Sequence, residues 1–205
     1  MEALNAGLLE WAVATLTLPG EAESGDRSVV KSFQGGALVA VVDGLGHGAK
    51  AAEAAKLAIA TLEDHASEPV TSLIQQCHNA LTNTRGVVMS LASFNVSRGN
   101  MTWLGVGNVE GLLIRAGNDA SPKCQSLLLR SGVVGARLPV LQVSTTTVSR
   151  GDLLIFATDG IAGDFSKELN FGERPQKIAD DILALHSRGI DDALVLVSRY
   201  LGQAS

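Results

Sequence analysis

Apolar residues in this chain fall into two kinds of run. Residues 37–42 (ALVAVV), 153–158 (LLIFAT) and 193–197 (ALVLV) are almost continuously apolar, the length and β-branched content expected of strands buried on both faces. Residues 11–18 instead alternate, with Trp11, Val13, Thr15 and Thr17 on one side, which predicts a strand with one wet face. A short strand at 28–33 joins 37–42 through Gln34, Gly35 and Gly36, a hairpin turn. Farther on, 87–95, 101–107 and 111–114 read as consecutive antiparallel strands linked by tight turns, the first at Arg98-Gly99-Asn100. Weaker strand signals follow at 127–129 and at 140–148, where Thr145, Thr146 and Thr147 suit a half-exposed sheet. Polar stretches at 19–27 and 115–123 read as loops, the first delivering Asp26 to the strand at 28–33.

Three other segments carry a helical period. After the glycine-rich turn 44–48, Ala51, Ala55, Ala58 and Leu62 share one face while Glu53, Lys56 and Glu63 point away from it. A second helix is expected from Ser67 to about residue 83, with Ser67 as cap and Pro69 in the first turn. Its inward face is Val70, Leu73, Ile74, Cys77 and Leu81, and Arg85-Gly86 ends it. The third, 174–185, sets Ile178, Ile182, Leu183 and Leu185 against Gln176, Lys177, Asp180 and Asp181.

Length and composition narrow the function classes. With 205 residues and no Pro-rich or Ser-rich linker, one domain over residues 1–205 is expected. Sixteen basic residues are scattered among 21 acidic ones, which argues against a nucleic-acid or anionic-membrane surface. No apolar stretch nears the roughly 20 residues that span a bilayer, and the N-terminus lacks the basic segment of a signal peptide, so a cytoplasmic location is expected. Cys77 and Cys124 are then free thiols.

The acids at the strand ends change the picture most. Asp43-Gly44 and Asp159-Gly160 close two of the buried strands, and Asp191-Asp192 opens the third. If the third strand runs antiparallel to the others, all three carboxylates meet at one sheet edge. Crowded carboxylates on an apolar core repel and desolvate at a cost, so a cation belongs among them; the loop residue Arg188 is too little charge. Oxygen ligands without Cys or a His pair point to Mg²⁺ or Mn²⁺. Zinc is disfavoured, because His47, His65, His78 and His186 show no ligand spacing.

The glycine after Asp43 and after Asp159 would let a carbonyl reach the metal and leave room for a bulky anion. Two such ions can share a water, acidify it and clamp a phosphoryl group, which makes phosphate-ester hydrolysis the expected chemistry. A single Asp-Gly pair is an ordinary turn; three acids at three strand ends are the signal. His47, at a helix N-terminus, is either neutral and close to a bound phosphate or a plain loop histidine. His65 and His186, near helix C-termini, are expected in solvent.

These motifs, in this order and preceded by Ser24-Gly25-Asp26, resemble the signature of the PPM (PP2C-like) family of metal-dependent serine/threonine phosphatases. Within it the DGLGHG turn, Arg85-Gly86 before a strand and GVGNV at 105–109 resemble the RsbX-type feedback phosphatases of the bacterial stressosome. The resemblance implies an α+β fold, a four-layer α/β/β/α sandwich of two antiparallel sheets flanked by helices, with two Mn²⁺ or Mg²⁺ at one end. It implies that Asp43 bridges both ions, that the Gly44 carbonyl binds one, that Asp159 and Asp191 complete them, and that Asp26 acts through water from behind. Asp43 and Asp159 would thereby hold the attacking water, with no phosphoenzyme. The implied substrates are phosphoserine or phosphothreonine on stressosome STAS-domain proteins, in negative feedback on the stress response.

The chain departs from that family in three places. Gly107-Asn108-Val109 stands where relatives often carry an Asp able to hold a third metal, Leu194 stands where a Thr is usual, and the phosphate-binding Arg of eukaryotic relatives has no evident match. The Leu194 substitution leaves Asp191 and Asp192 as alternative ligands. Two rival readings remain: a nucleotide-binding domain using Gly44-x-Gly46-x-x-Ala49 after a strand, and a catalytically inactive phosphatase fold that binds partners.

Overall fold

The computed structural model describes residues 7–117, 123–166 and 170–202. In chain order the elements are β1 (Leu9–Leu16), β2 (Asp26–Phe33), β3 (Gly36–Gly44), α1 (Ala49–Asp64), α2 (Val70–Ala80), β4 (Val87–Asn95), β5 (Asn100–Val106) and β6 (Glu110–Ile114). They continue with β7 (Cys124–Ser126), β8 (Leu129–Arg130), β9 (Ser144–Thr147), β10 (Leu153–Ala157), α3 (Pro175–His186) and β11 (Ala193–Tyr200). One sheet has the order β1-β11-β10-β6-β7, the other β2-β3-β4-β5-β8 with β9 also on β5.

Three apolar clusters set the layers. Ala54, Ala58, Leu62, Leu73 and Ile74 of the first two helices pack on Leu38, Ala40, Val42 and Leu91. Between the sheets, Val39, Val41, Phe94 and Trp103 meet Leu154, Phe156, Leu194 and Leu196. Ile178 and Ile182 of α3 cover Ile155, Val195 and Val197 on the far face. The alternating sides of β3 and β11 thus feed two clusters each, which is why both strands are apolar at nearly every position. The sandwich has the four layers expected from the resemblance.

Several expectations are corrected. The strands at 87–114 are not one meander: β4 and β5 pair antiparallel, but β6 crosses to the other sheet and pairs with β10 and β7. The sheets are not wholly antiparallel, because β5 and β8 run parallel at Gly105 and Val106. Ser67 does not cap α2; Pro69 takes the N-cap position without a side-chain bond, and the helix ends at Ala80. The strand signal at 140–148 shrinks to β9, and of that at 127–129 only Leu129 lies in a strand, at the start of β8. Part of the expected loop at 115–123, namely 118–122, lies outside the described residues.

The antiparallel pairing of β3 with β4 also removes the nucleotide-binding reading, which needs a parallel β-α-β unit. Cys77 is buried and Cys124 exposed, both as free thiols. Among the described residues no helix is long and apolar enough to cross a membrane.

Trp103 fills the middle cluster, yet its indole Nε1 is buried without a hydrogen-bond partner among the described residues. Trp103→Ala should cost about 3–5 kcal/mol through the cavity it leaves. Trp103→Phe, which keeps much of the contact and removes the unpartnered N–H, should cost far less. Urea unfolding midpoints check this, and equal losses for the two variants would contradict it.

Candidate active site and metal centre

Antiparallel pairing brings the strand-end acids together. Asp26, the first residue of β2, lies directly opposite Asp43 near the end of β3. Asp159 follows β10 and Asp191 precedes β11, and because these strands are antiparallel neighbours the two acids emerge at the same edge. Asp43, Asp159 and Asp191 line one open cleft of about 410 Å³, with Leu45, Gly46 and Asn108 on its walls.

Neighbouring groups fix each carboxylate differently. Thr158 Oγ1 donates to Asp26 Oδ2 at 2.7 Å while accepting the Leu194 N–H at 2.8 Å, joining the two sheets through one hydroxyl. Asn108 Nδ2 donates to Asp159 Oδ2 at 2.7 Å. The acids at 191 and 192 separate in role. Asp192 is buried, and its two oxygens accept the N–H groups of Leu18 at 2.8 Å and Gly25 at 2.7 Å. Asp191 faces the cleft, with one oxygen accepting the Asp192 N–H at 2.8 Å.

Crowding and burial disturb the two innermost acids. Burial, reinforced by the charges of Asp26, Asp159, Asp191 and Asp192, pushes Asp43 up to about 8. Burial likewise raises Asp26 to about 7 against the Thr158 hydrogen bond, with the charges of Asp192, Asp159 and Asp191 adding to the rise. Among the described residues no three His, Cys, Asp or Glu side chains close around one ion position. The donor set still fits hard cations that keep much of their water and take one or two carboxylates each: oxygen-only, strongly negative, and open to solvent on one side.

The glycines have a reason that the sequence did not reveal. A methyl on Gly44 would lie 2.1 Å from the Ala51 carbonyl oxygen, and one on Gly160 would lie 2.0 Å from that of Asp192. Close backbone packing therefore demands both residues, whatever approaches their carbonyls. Left-handed φ is instead needed at Gly46 (84°) and Gly48 (71°), which turn the chain into α1.

The histidines divide. His47 Nδ1 lies 2.5 Å from Glu21 Oε1 at the mouth of that turn. His78 Nδ1 accepts the Gly135 N–H at 3.0 Å, tying α2 to a distant loop. His65 contacts Glu68. His186 is half-exposed, so the expectation of solvent holds only in part: its Nε2 is buried and has no partner among the described residues.

Sequence reasoning missed Thr158 and the structural duty of Asp192. A hydroxyl closing an otherwise apolar strand was the available signal for the first. The second had none, because its partners are backbone groups far away in the chain.

The family described as Stage II sporulation protein E (SpoIIE) matches residues 34–201. The chain belongs to this family of PP2C-type phosphatases. The SpoIIE-family chain is 30% identical over 200 residues to phosphoserine phosphatase RsbX of Bacillus subtilis (strain 168), covering 96% of each protein. It is a protein serine/threonine phosphatase of the RsbX kind. Among solved structures, RsbX in complex with magnesium superposes with a TM-score of 0.82 at 26% identity, over 94% of this chain and 95% of that one. A chain solved under the description "The bacterial stressosome: a modular system that has been adapted to control secondary messenger signaling" gives 0.84 at 29% identity, over 93% and 99%. The PP2C phosphatase domain of SpoIIE from Bacillus subtilis shares the fold, with a TM-score of 0.74 at 21% identity over 96% of this chain and 64% of that one.

The raised acids make stability depend on pH and metal together. Unfolded aspartates titrate near about 4, whereas Asp26 and Asp43 hold their protons to about 7 and 8. Between those limits the folded chain binds more protons than the unfolded one, so the stability of metal-free protein should fall as pH rises from 4 to 8. Added Mn²⁺ or Mg²⁺ should raise Tm little at pH 5 and most at pH 8, and Asp43→Asn should flatten the metal-free profile. Thermal melts across that range check it; a metal shift independent of pH would count against the site.

Proposed function

We propose that this chain hydrolyses phosphoserine or phosphothreonine on STAS-domain proteins of a stressosome, using two Mn²⁺ or Mg²⁺ held by Asp43, the Gly44 carbonyl, Asp159 and Asp191. The observation that carries the reading is the convergence of Asp43, Asp159 and Asp191 on one open cleft, with burial and mutual repulsion raising Asp43. Metal use is supported further by the magnesium complex of RsbX. The substrate class is supported by the likeness to phosphoserine phosphatase RsbX and to the stressosome chain. A cytoplasmic location and a single catalytic unit over residues 1–205 belong to the same proposal.

When bound, such ions lower the pKa of water and neutralise charge on the phosphoryl oxygens. The residues of the chain supply orientation. Asp43 is fixed by its strand pairing, Asp159 by Asn108 and Asp191 by the Asp192 N–H. Asp26, held by Thr158 and opposite Asp43 in the strand register, would act on the ions through water. In the net reaction the water oxygen bonds to phosphorus, the ester P–O bond breaks, and the departing serine or threonine oxygen takes a proton. His47, braced by Glu21 and following the cleft residue Gly46 in the chain, is the histidine that this reading places near the incoming phosphoprotein.

Hydrolysis of p-nitrophenyl phosphate should require added Mn²⁺ or Mg²⁺, stop on chelation, and fall by about two orders of magnitude or more in Asp43→Asn, the scale on which an enzyme loses a principal stabilising group. Full turnover in excess EDTA would exclude this chemistry. Phosphorylated STAS-domain proteins should release phosphate faster than unrelated phosphopeptides; equal rates would remove the substrate assignment and leave the reaction class.

A further inference from the structure

None of the described side chains lining the acidic cleft is basic, yet a phosphate monoester arrives there as an anion. The structure sets one arginine against its edge. A methyl placed on Gly46, itself a cleft residue, would lie 2.7 Å from Arg85 Nη1. The left-handed backbone at Gly46 (φ 84°) favours glycine there, and with no side chain at that position the guanidinium lies directly against the turn.

The backbone on both sides is fixed. The Leu45 N–H donates to the Gly86 carbonyl at 3.1 Å, and the Gly86 N–H donates to Thr84 Oγ1 at 3.0 Å. Thr84 is in turn tied by its own N–H and hydroxyl to the Leu81 carbonyl at the end of α2. Arg85 is exposed, and among the described residues its guanidinium has no hydrogen bond or ion pair. By contrast Arg27 is committed to Glu23, and Arg115 to Asp152. An arginine held on a rigid turn beside a nest of acids, and not spent on neutralising them, is free for an external anion. Its planar fork matches two phosphate oxygens at once.

We propose that Arg85 holds the phosphate group of the incoming substrate at the Gly46 edge of the cleft. This rests on the phosphatase site described above and adds a phosphate-holding residue to it. Calorimetric titration of inorganic phosphate into manganese-containing protein is the direct test, with the KM and kcat of p-nitrophenyl phosphate hydrolysis measured alongside. Arg85→Ala should weaken phosphate binding and raise KM about tenfold or more, the scale of a lost charge-assisted contact, while leaving Tm and the Mn²⁺ concentration for half activation unchanged. Arg85→Lys should recover part of the binding. Unchanged phosphate affinity in Arg85→Ala would overturn the proposal while leaving metal-dependent hydrolysis intact. So would a lower Tm that fully accounts for the loss, with no recovery in Arg85→Lys. Absence of metal-dependent hydrolysis in the unaltered chain would instead remove the phosphatase site reading, and this proposal with it.

Discussion

A buried carboxylate, Asp26, stands opposite a half-buried one, Asp43, across a single antiparallel pair, at the end of a sandwich whose interior is mainly apolar. Left as ions without a counter-charge they work against folding. The structure accommodates them by placing them at an open edge, where Asp159 and Asp191 add charge but solvent still reaches the cleft. Thr158 satisfies Asp26 and binds Leu194 with the same hydroxyl. The strain of like charges and the joining of the two sheets therefore fall at one place. Carboxylates crowded in this way favour a positive charge among them, since it relieves repulsion already present.

The layered packing explains why that edge is so well fixed. β3, β10 and β11 are each packed between two apolar clusters, so a one-residue slip would push side chains shaped for one cluster into the other and lose the close packing of both. The alanines of α1 allow the helix to lie against the strand end closely enough that Gly44 touches Ala51 backbone. Carboxylate placement is thus inherited from core packing more than from contacts inside the cleft.

Much of this was legible in the sequence, for identifiable reasons. Continuous apolar runs reported the doubly buried strands, and acids at their ends reported the edge where the cleft opens. The crossing of β6 to the opposite sheet was not legible, because Gly107 to Val109 has the same tight-turn appearance whether the next strand pairs beside β5 or elsewhere. Ser67 looked like a cap, but Pro69 displaced the helix start. Gly44 and Gly160 were read through the ligand, whereas neighbouring backbone excludes any side chain there. Asp191 and Asp192 are indistinguishable as letters, and only three-dimensional placement shows one turned to backbone amides and the other to the cleft.

The amides that Asp192 accepts lie 174 and 167 positions away, in the segment leading to Asp26, and β11 also zips along the whole of β1. Contacts this distant in the chain are slow to form, since a long loop must close before they reward it. The stretch that carries Asp26 can therefore acquire its final course only after the last strand has docked. During synthesis on the ribosome, a nascent chain lacking β11 would be a partly folded sandwich without a finished acidic cleft, so catalytic competence arrives late and all at once.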